Sequence, residues 1–348
     1  MAMTTLQELE INYRHFLDRS TLLFGESGTG KSFVIVDILY QLKAHIDQIL
    51  VISPTDRSNH TYDNEIVPTP FIHYTITAKL LEDIWERQSA LASVYTKANK
   101  PEILKSLFDK ISNNEESKRI IQNINDKLVS SEREMSSYAN DPSQAKAKIS
   151  QMKTECKKLI LLVFKRAINA NHKILSTYRL NSAEEYTLRF LNLNPRIVLI
   201  FDDCTDQIKK FKSNPVVQKL FYQGRWNYIT LIIACHTDKA LDPELKKNAF
   251  VSIFTEETCA HSYFGRPTND LDRDAKIRAI QACKASFAPL TPHQKLAWLR
   301  DEKKFYRFTA TSRSGFKFGS QVVWDYCNRI SAEAGTVPMD NKFIHYFT

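Results

Sequence analysis

The run Leu22-Leu23-Phe24-Gly25-Glu26-Ser27-Gly28-Thr29-Gly30-Lys31-Ser32 limits what this chain can fold into more than any other stretch. An apolar strand leads directly into G-x-x-x-x-G-K-S, and Phe33-Val34-Ile35-Val36-Asp37-Ile38-Leu39 continues as an apolar helix. A strand before and a helix after are the context that marks a phosphate-binding loop. Glycine lets consecutive backbone N–H groups turn inward around a β-phosphate, where a side chain would collide. The positive end of the helix starting near Lys31 adds to the attraction for an anion. In such a loop Gly25, Glu26, Ser27, Gly28, Thr29 and Gly30 form the cradle. Lys31 reaches the β- and γ-phosphates, and the Ser32 hydroxyl binds Mg²⁺. The chain has only 8 glycines, and Gly25, Gly28 and Gly30 all fall here, so a chance glycine-rich turn explains the pattern poorly.

The residues that complete such a site come much later. Arg196-Ile197-Val198-Leu199-Ile200-Phe201-Asp202-Asp203 is an apolar run ending in two acids, preceded by Asn194-Pro195. A strand buried on both faces, with carboxylates at its C-terminal edge, is the second half of a P-loop NTPase site. There Asp202 holds the Mg²⁺ shell, and Asp203 points toward the γ-phosphate and polarises the attacking water. Alone, such a run is common; an independent P-loop gives it meaning. The expected fold class is α/β, a P-loop NTPase of the ASCE or RecA-like kind. Its mostly parallel central sheet is flanked by helices and carries an inserted helical hairpin.

Composition sets the frame for this expectation. A chain of 348 residues with 43% hydrophobic and 25% charged residues can bury a full core. Its net charge of +9 favours an anionic partner. Six cysteines (Cys156, Cys204, Cys235, Cys259, Cys283, Cys327) form no C-x-x-C pair, so neither a zinc site nor a disulfide framework is implied. The apolar run Leu159-Ile160-Leu161-Leu162-Val163-Phe164 is too short to span a bilayer. The N-terminus lacks a signal-peptide pattern, and the expectation is an intracellular, reduced protein with no membrane partner.

Along the chain, residues 1–20 read as a polar lead-in. Gln48-Ile49-Leu50-Val51-Ile52-Ser53-Pro54 reads as a second apolar strand, which makes a parallel βαβ unit with the first. Residues 55–71 read as a loop, Phe71 to Ile76 as a short strand and Ala78 to Tyr95 as a helix. Residues 100–186 contain no glycine, and apolar residues recur there at three- and four-residue steps, as in Ile103, Leu104, Leu107 and Ile111. That spacing predicts a helical hairpin with its break at 139–144. The expected organisation is a first part of the core over 1–99, the inserted hairpin over 100–186, and a second part with a C-terminal extension over 187–348. After the acids come a helix over Val216 to Tyr222 and then Gly224-Arg225. A fourth strand, Ile229 to Ala234, runs into Cys235-His236-Thr237, and a fifth spans Phe250 to Phe254.

This order resembles the FtsK–HerA superfamily of DNA-pumping ATPases, most of all the genome-packaging ATPases of poxviruses and other large nucleocytoplasmic DNA viruses. Four features carry the resemblance: Asn194-Pro195-Arg196, the Ile200-Phe201-Asp202-Asp203-Cys204 ending, Gly224-Arg225 before the fourth strand, and Lys247-Asn248 before the fifth. In motif terms it covers residues 20–55 and 190–256. The resemblance implies an ATPase using ATP and Mg²⁺, assembled as a homo-oligomeric ring, that moves double-stranded DNA into a capsid. Contacts with DNA would be mainly to phosphates and indifferent to sequence. A capsid or portal protein would be a further partner, and the site of action the host cytoplasm, an assembly site or the virion. Arg225 resembles the superfamily arginine that reaches a neighbouring subunit's nucleotide; the alternative is a helix cap. Two positions depart from the pattern. Asp203 stands where the superfamily usually has Glu, as the viral branch often does, and His236 stands where Gln usually follows the fourth strand. His236 is either a γ-phosphate sensor or an ordinary strand-end histidine.

In the C-terminal part, residues 257–304 read as helical with Trp298 and Leu299 in the core, and Phe305 to Thr311 alternate like a half-buried strand. Ser312-Arg313-Ser314-Gly315-Phe316-Lys317-Phe318-Gly319 fits either a nucleic-acid surface or a glycine-containing hairpin turn, and the turn is preferred. The rival functions are an AAA+ or helicase-type nucleic-acid motor and an ATP-gated assembly scaffold with little turnover. The hairpin is expected to be an oligomerisation or capsid-docking arm.

Overall fold

The computed structural model describes residues 6–63, 66–138, 142–211, 213–269, 272–287 and 294–334. The chain divides into two units, residues 1–92 with 194–348 and residues 93–193.

In the first unit, β1 (Ser20–Phe24) leads to α1 (Lys31–Leu42) and β2 (Gln48–Ile52). The short α2 (Asp56–Asn59) and β3 (Ile72–His73) follow, then α3 (Ala78–Ala98), which runs past the unit boundary. The second unit is helical: α4 (Pro101–Asp109), α5 (Glu115–Tyr138), α6 (Pro142–Ala170), α7 (His172–Leu175) and α8 (Ser182–Phe190). The first unit resumes with β4 (Ile197–Phe201), α9 (Thr205–Phe211), α10 (Pro215–Gln223), β5 (Ile229–Cys235), α11 (Pro243–Lys247) and β6 (Val251–Phe254). Then come α12 (Glu257–Gly265), α13 (Arg273–Phe287), β7 (Gln294–Leu299), β8 (Lys304–Thr309) and α14 (Gln321–Ala334).

Among the described residues the strands form one sheet in the order β3-β2-β4-β5-β1-β6-β7-β8. From β3 to β6 every pairing is parallel, and β7 and β8 add an antiparallel edge. One strand, β5, separates the P-loop strand β1 from the acid-bearing β4. This is the expected P-loop NTPase fold with a mostly parallel sheet. Strands β1, β4, β5 and β6 are buried along their whole length, as strands covered by helices on both faces must be. Alternate residues feed two cores: Leu22, Phe24, Leu199 and Leu231 pack on one face, and Leu23, Val198, Ile200 and Ile232 on the other.

Three stretches depart from the sequence expectations. The lead-in is not a free polar arm: Leu9 and Phe16 are buried. Leu9 N–H donates to Arg307 O at 2.7 Å, and Arg307 N–H donates to Gln7 O at 2.9 Å, so this segment covers the edge strand β8. Trp298 and Leu299 are buried in a strand, β7, and not in a helix; the helical part of 257–304 is α12 and α13. A short apolar run fits either element, and pairing with β6 decides it. Residues 312–319 form neither a hairpin nor an aromatic–basic surface. Phe316 and Phe318 are buried in the core, and Arg313 pairs at 2.9 Å with Asp37 of α1, which is fully buried.

The second unit has its own core, in which Leu104, Leu107, Phe108 and Ile111 meet Phe164, Ile168, Leu175, Leu188 and Leu191. Helices α5 and α6 pack against each other, with Lys153 bridging Glu132 at 2.9 Å. Asn181 and Glu184 form a reciprocal cap at the start of α8. Of the break expected at 139–144, residues 139–141 lie outside the described residues. No helix among the described residues is long and apolar enough to cross a membrane.

Candidate nucleotide-binding site

The site forms where parallel strands end. Phe24 stands beside Cys235 in register, and Phe201 beside Ile233. The residues after β1, β4 and β5 therefore emerge next to one another. The loop after β1 turns through Gly28 and Gly30, at φ of 80° and 88°, a region that side-chain-bearing residues rarely occupy. Gly25 is fixed by space: a Cβ there would fall 1.8 Å from Thr255 Oγ1. Lys31 is 5% exposed, and its Nζ donates to Gly25 O at 2.9 Å and Glu26 O at 2.8 Å. Carbonyl dipoles hold this ammonium, and among the described residues no carboxylate pairs with it, so its charge remains available to an anion.

Ser32 Oγ donates to Asp202 Oδ2 at 2.7 Å, joining residues 170 positions apart. Tyr62, fully buried, donates its hydroxyl to the same oxygen at 2.7 Å. Asp202 is 2% exposed, and its Oδ1 has no hydrogen-bond partner among the described residues. Burial pushes its carboxyl above the ordinary range, the Tyr62 and Ser32 hydrogen bonds pull the other way, and Asp203 raises it again. A buried carboxylate with one oxygen unfilled, beside a serine hydroxyl, is a hard-oxygen set that fits Mg²⁺.

Asp203 has φ of 52°, which turns the chain out of the strand line just after Asp202. Its Oδ2 accepts from Thr55 Oγ1 at 3.1 Å, and its Oδ1 lies 3.6 Å from His236 Nε2. The His236 backbone N–H donates to Thr205 Oγ1 at 3.1 Å, which ties the end of β5 to α9. The structure thus brings Lys31, Ser32, Asp202, Asp203 and His236 together.

Arg225 is not among them. It belongs to a short 3-10 turn, Gly224–Asn227, at the opposite end of β5. The seven residues of β5 separate it from His236, about 20 Å at the rise of a strand. Its guanidinium lies 5.0 Å from the Trp226 ring centre and 5.4 Å from that of Phe250. Within one chain, Arg225 stands far from any phosphate held by Lys31.

Sequence reasoning missed several groups. Tyr62 and Thr55 come from the segment read as a plain loop, and no local pattern marks them. Thr255 and Glu256 had a usable signal, since they follow β6 at the same carboxyl edge. Thr255 Oγ1 lies 2.6 Å from Thr29 Oγ1, and Glu256 Oε1 accepts from Glu26 N–H at 3.0 Å. Lys295 Nζ donates to Thr29 O at 2.8 Å from β7, a strand whose sequence reads as helix.

No protein-family model matches this chain. It is 30% identical over 364 residues to protein B354L of African swine fever virus (isolate Pig/Kenya/KEN-50/1950), spanning 99% of this chain and 98% of that protein. B354L of the Badajoz 1971 Vero-adapted strain matches to the same extent. A shorter match, 36% identical over 86 residues, covers 25% of this chain and 29% of protein L437 of Acanthamoeba polyphaga mimivirus. Among solved structures, the chain is similar to the genome packaging NTPase B204 of Sulfolobus turreted icosahedral virus 2 in complex with ATP-gammaS. That likeness has 14% identity, 86% coverage of this chain, 98% of that one, and a TM-score of 0.36. The pCW3 conjugation coupling protein TcpA gives 14% identity, 96% and 75% coverage, and a TM-score of 0.37. At this depth both are likenesses of the chain trace only. The P-loop NTPase fold, which the resemblance to the FtsK–HerA superfamily implies, is carried by the strand order and the loop geometry. End-to-end coverage at 30% identity places the chain by sequence: it belongs to the family of the African swine fever virus protein B354L.

Proposed function

We propose that this chain is an ATPase that drives double-stranded DNA into a viral capsid as a homo-oligomeric ring. The observation that carries the ATPase part is the Ser32–Asp202 hydrogen bond, which unites the two halves of a P-loop site. The loop N–H groups and Lys31 bind and orient the triphosphate. Ser32 and Asp202 are the residues to hold Mg²⁺, which when bound neutralises charge on the β- and γ-phosphates. Asp203 accepts a proton from the attacking water, and Thr55 and His236 keep its carboxylate aimed. Arg225 serves the site of the neighbouring subunit, where a guanidinium stabilises the transferring phosphoryl group.

The DNA and packaging assignment is supported by the motif resemblance and by the net charge of +9, which suits a phosphate-lined partner. We assign the helical unit of residues 93–193 as an oligomerisation or capsid-docking arm, and the place of action as a viral assembly site or the virion. The test is ATP turnover with and without duplex DNA, run beside a sizing measurement. Expected are a Mg²⁺-dependent rate that duplex DNA raises in a salt-sensitive way, and an assembly larger than one chain. Background turnover whatever DNA is added would contradict the motor and favour an ATP-gated scaffold.

A further inference from the structure

Beside the phosphate-binding loop stands a second buried cation, with no carboxylate in ion-pair contact among the described residues. Lys295 on β7 is 4% exposed, and its Nζ donates to Thr29 O at 2.8 Å. A Cβ built on Gly30 would stand 3.6 Å from that nitrogen. An ammonium has three donors. Among the described residues the Thr29 carbonyl is the partner shown for this one, and no carboxylate comes within 4.0 Å of it. Glu256 acts on it only from further away, and Glu256 Oε1 accepts from Glu26 N–H at 3.0 Å and the Cys259 thiol at 2.8 Å. Burial holds the Lys295 ammonium below the usual lysine range, with Glu256 opposing. Withdrawing a charge from water for one carbonyl contact is costly, and a neutral donor would brace the loop as well. An anion at the start of α1 would supply the missing partner.

We infer that Lys295 is a second phosphate-binding lysine, contacting the phosphates of the nucleotide that the loop holds. The inference rests on the nucleotide site proposed above and adds a ligand contact from the antiparallel edge of the sheet. The strand order says which phosphates it serves. Asp202 and Asp203 follow β4 on one flank of β1, whereas Lys295 lies on β7 on the other flank. The metal and the transferring γ-phosphoryl group belong on the acid side. Lys295 therefore meets the part shared by ATP and ADP.

The experiment is titration calorimetry of wild type, K295Q and K295R with ADP and with ATP at low and moderate salt. Glutamine keeps a donor for Thr29 O and removes the charge; arginine keeps the charge. K295Q is expected to weaken ADP and ATP binding alike, roughly tenfold or more, the scale of a charge-assisted hydrogen bond. Its affinity should also fall less steeply with salt than that of wild type. K295R is expected to stay within about threefold of wild type. Affinity of K295Q within twofold of wild type, or a loss confined to ATP, would overturn the inference. So would equal losses in K295Q and K295R, which mark a purely structural brace. Wild-type protein that fails to bind ADP would instead contradict the nucleotide site itself. If K295Q does not fold, K295R alone decides: wild-type-like affinity and salt dependence support the charge, and a tenfold loss opposes it.

Discussion

At the carboxyl edge of the parallel strands the polar side chains gather around one pair of carboxylates, while at the amino edge they form separate ion pairs or lie against an exposed ring. The first edge gathers Lys31, Ser32, Asp202, Asp203, Thr55 and His236 around one space, with Tyr62 and Ser32 sharing one oxygen of Asp202. The second edge carries arginines. Arg196 is spent on Asp18 at 3.0 Å and Arg19 on Asp301 at 2.8 Å. Arg225 makes no ion pair among the described residues and lies against Trp226, which is 71% exposed. In the function proposed above, the first edge holds the triphosphate and its metal ion, and among the groups described there it has no arginine of its own. The other carries Arg225, which acts on Asp18 only from beyond ion-pair distance. The proposed ring requires that a second copy of the chain bring the two edges together.

The largest effect should come from the amino edge. R225A is expected to lower ATP turnover about a thousandfold while ATP affinity stays within about threefold, measured by steady-state kinetics beside calorimetry. Near-normal turnover would remove the role across the subunit boundary. At the carboxyl edge, D203N is expected to lower turnover about a hundredfold or more, again with binding retained. A parallel loss of ATP affinity would make Asp203 a binding group and not a base. A smaller effect is expected for Y62F, which removes one hydrogen bond from Asp202 and leaves the packing in place. The Mg²⁺ concentration for half-maximal rate should rise about tenfold, and an unchanged Mg²⁺ dependence would separate Tyr62 from the metal ligand.

The smallest effect on turnover is expected away from both edges. Burial opposes ionisation of Glu184, but hydrogen bonds from Asn181 N–H, Ser106 and Lys110 outweigh it and hold the carboxyl below the usual glutamate range. A lowered folded-state pKa supplies stability that is complete above the unfolded pKa and is lost as pH falls through the folded value. E184Q should therefore cost about 1–2 kcal/mol at neutral pH and flatten the acid limb of the unfolding profile. Turnover should not change. A stability loss that does not shrink in acid would contradict the charged role of Glu184.

How much of this was written legibly in the chain depended on distance. The loop from Gly25 to Ser32 is contiguous, so every residue of its cradle could be named from sequence. Asp202 and Asp203 were legible because a wholly apolar strand ends on them, and burial on both faces leaves no other use for that composition. Groups that reach the site from elsewhere left no mark. Tyr62 touches Asp202 from 140 positions away and Lys295 touches Thr29 from 266, and no periodicity records such contacts. The same limit explains β7, whose short apolar run fits a helix until pairing with β6 fixes it as a strand. It explains the segment 312–319 too, which reads as a glycine-containing turn in preference to a basic and aromatic surface, and is neither. Phe316 and Phe318 are core residues there, and Arg313 answers the buried Asp37.

The decisive measurement is a crystal structure of the chain with Mg²⁺ and a non-hydrolysable ATP analogue. The expected result is a triphosphate in contact with Lys31 Nζ, its metal ion bound by Ser32 and Asp202, and Asp203 beside the γ-phosphate. A nucleotide seated elsewhere, or a triphosphate whose metal ion lies away from Asp202, would contradict the shared site on which everything above depends.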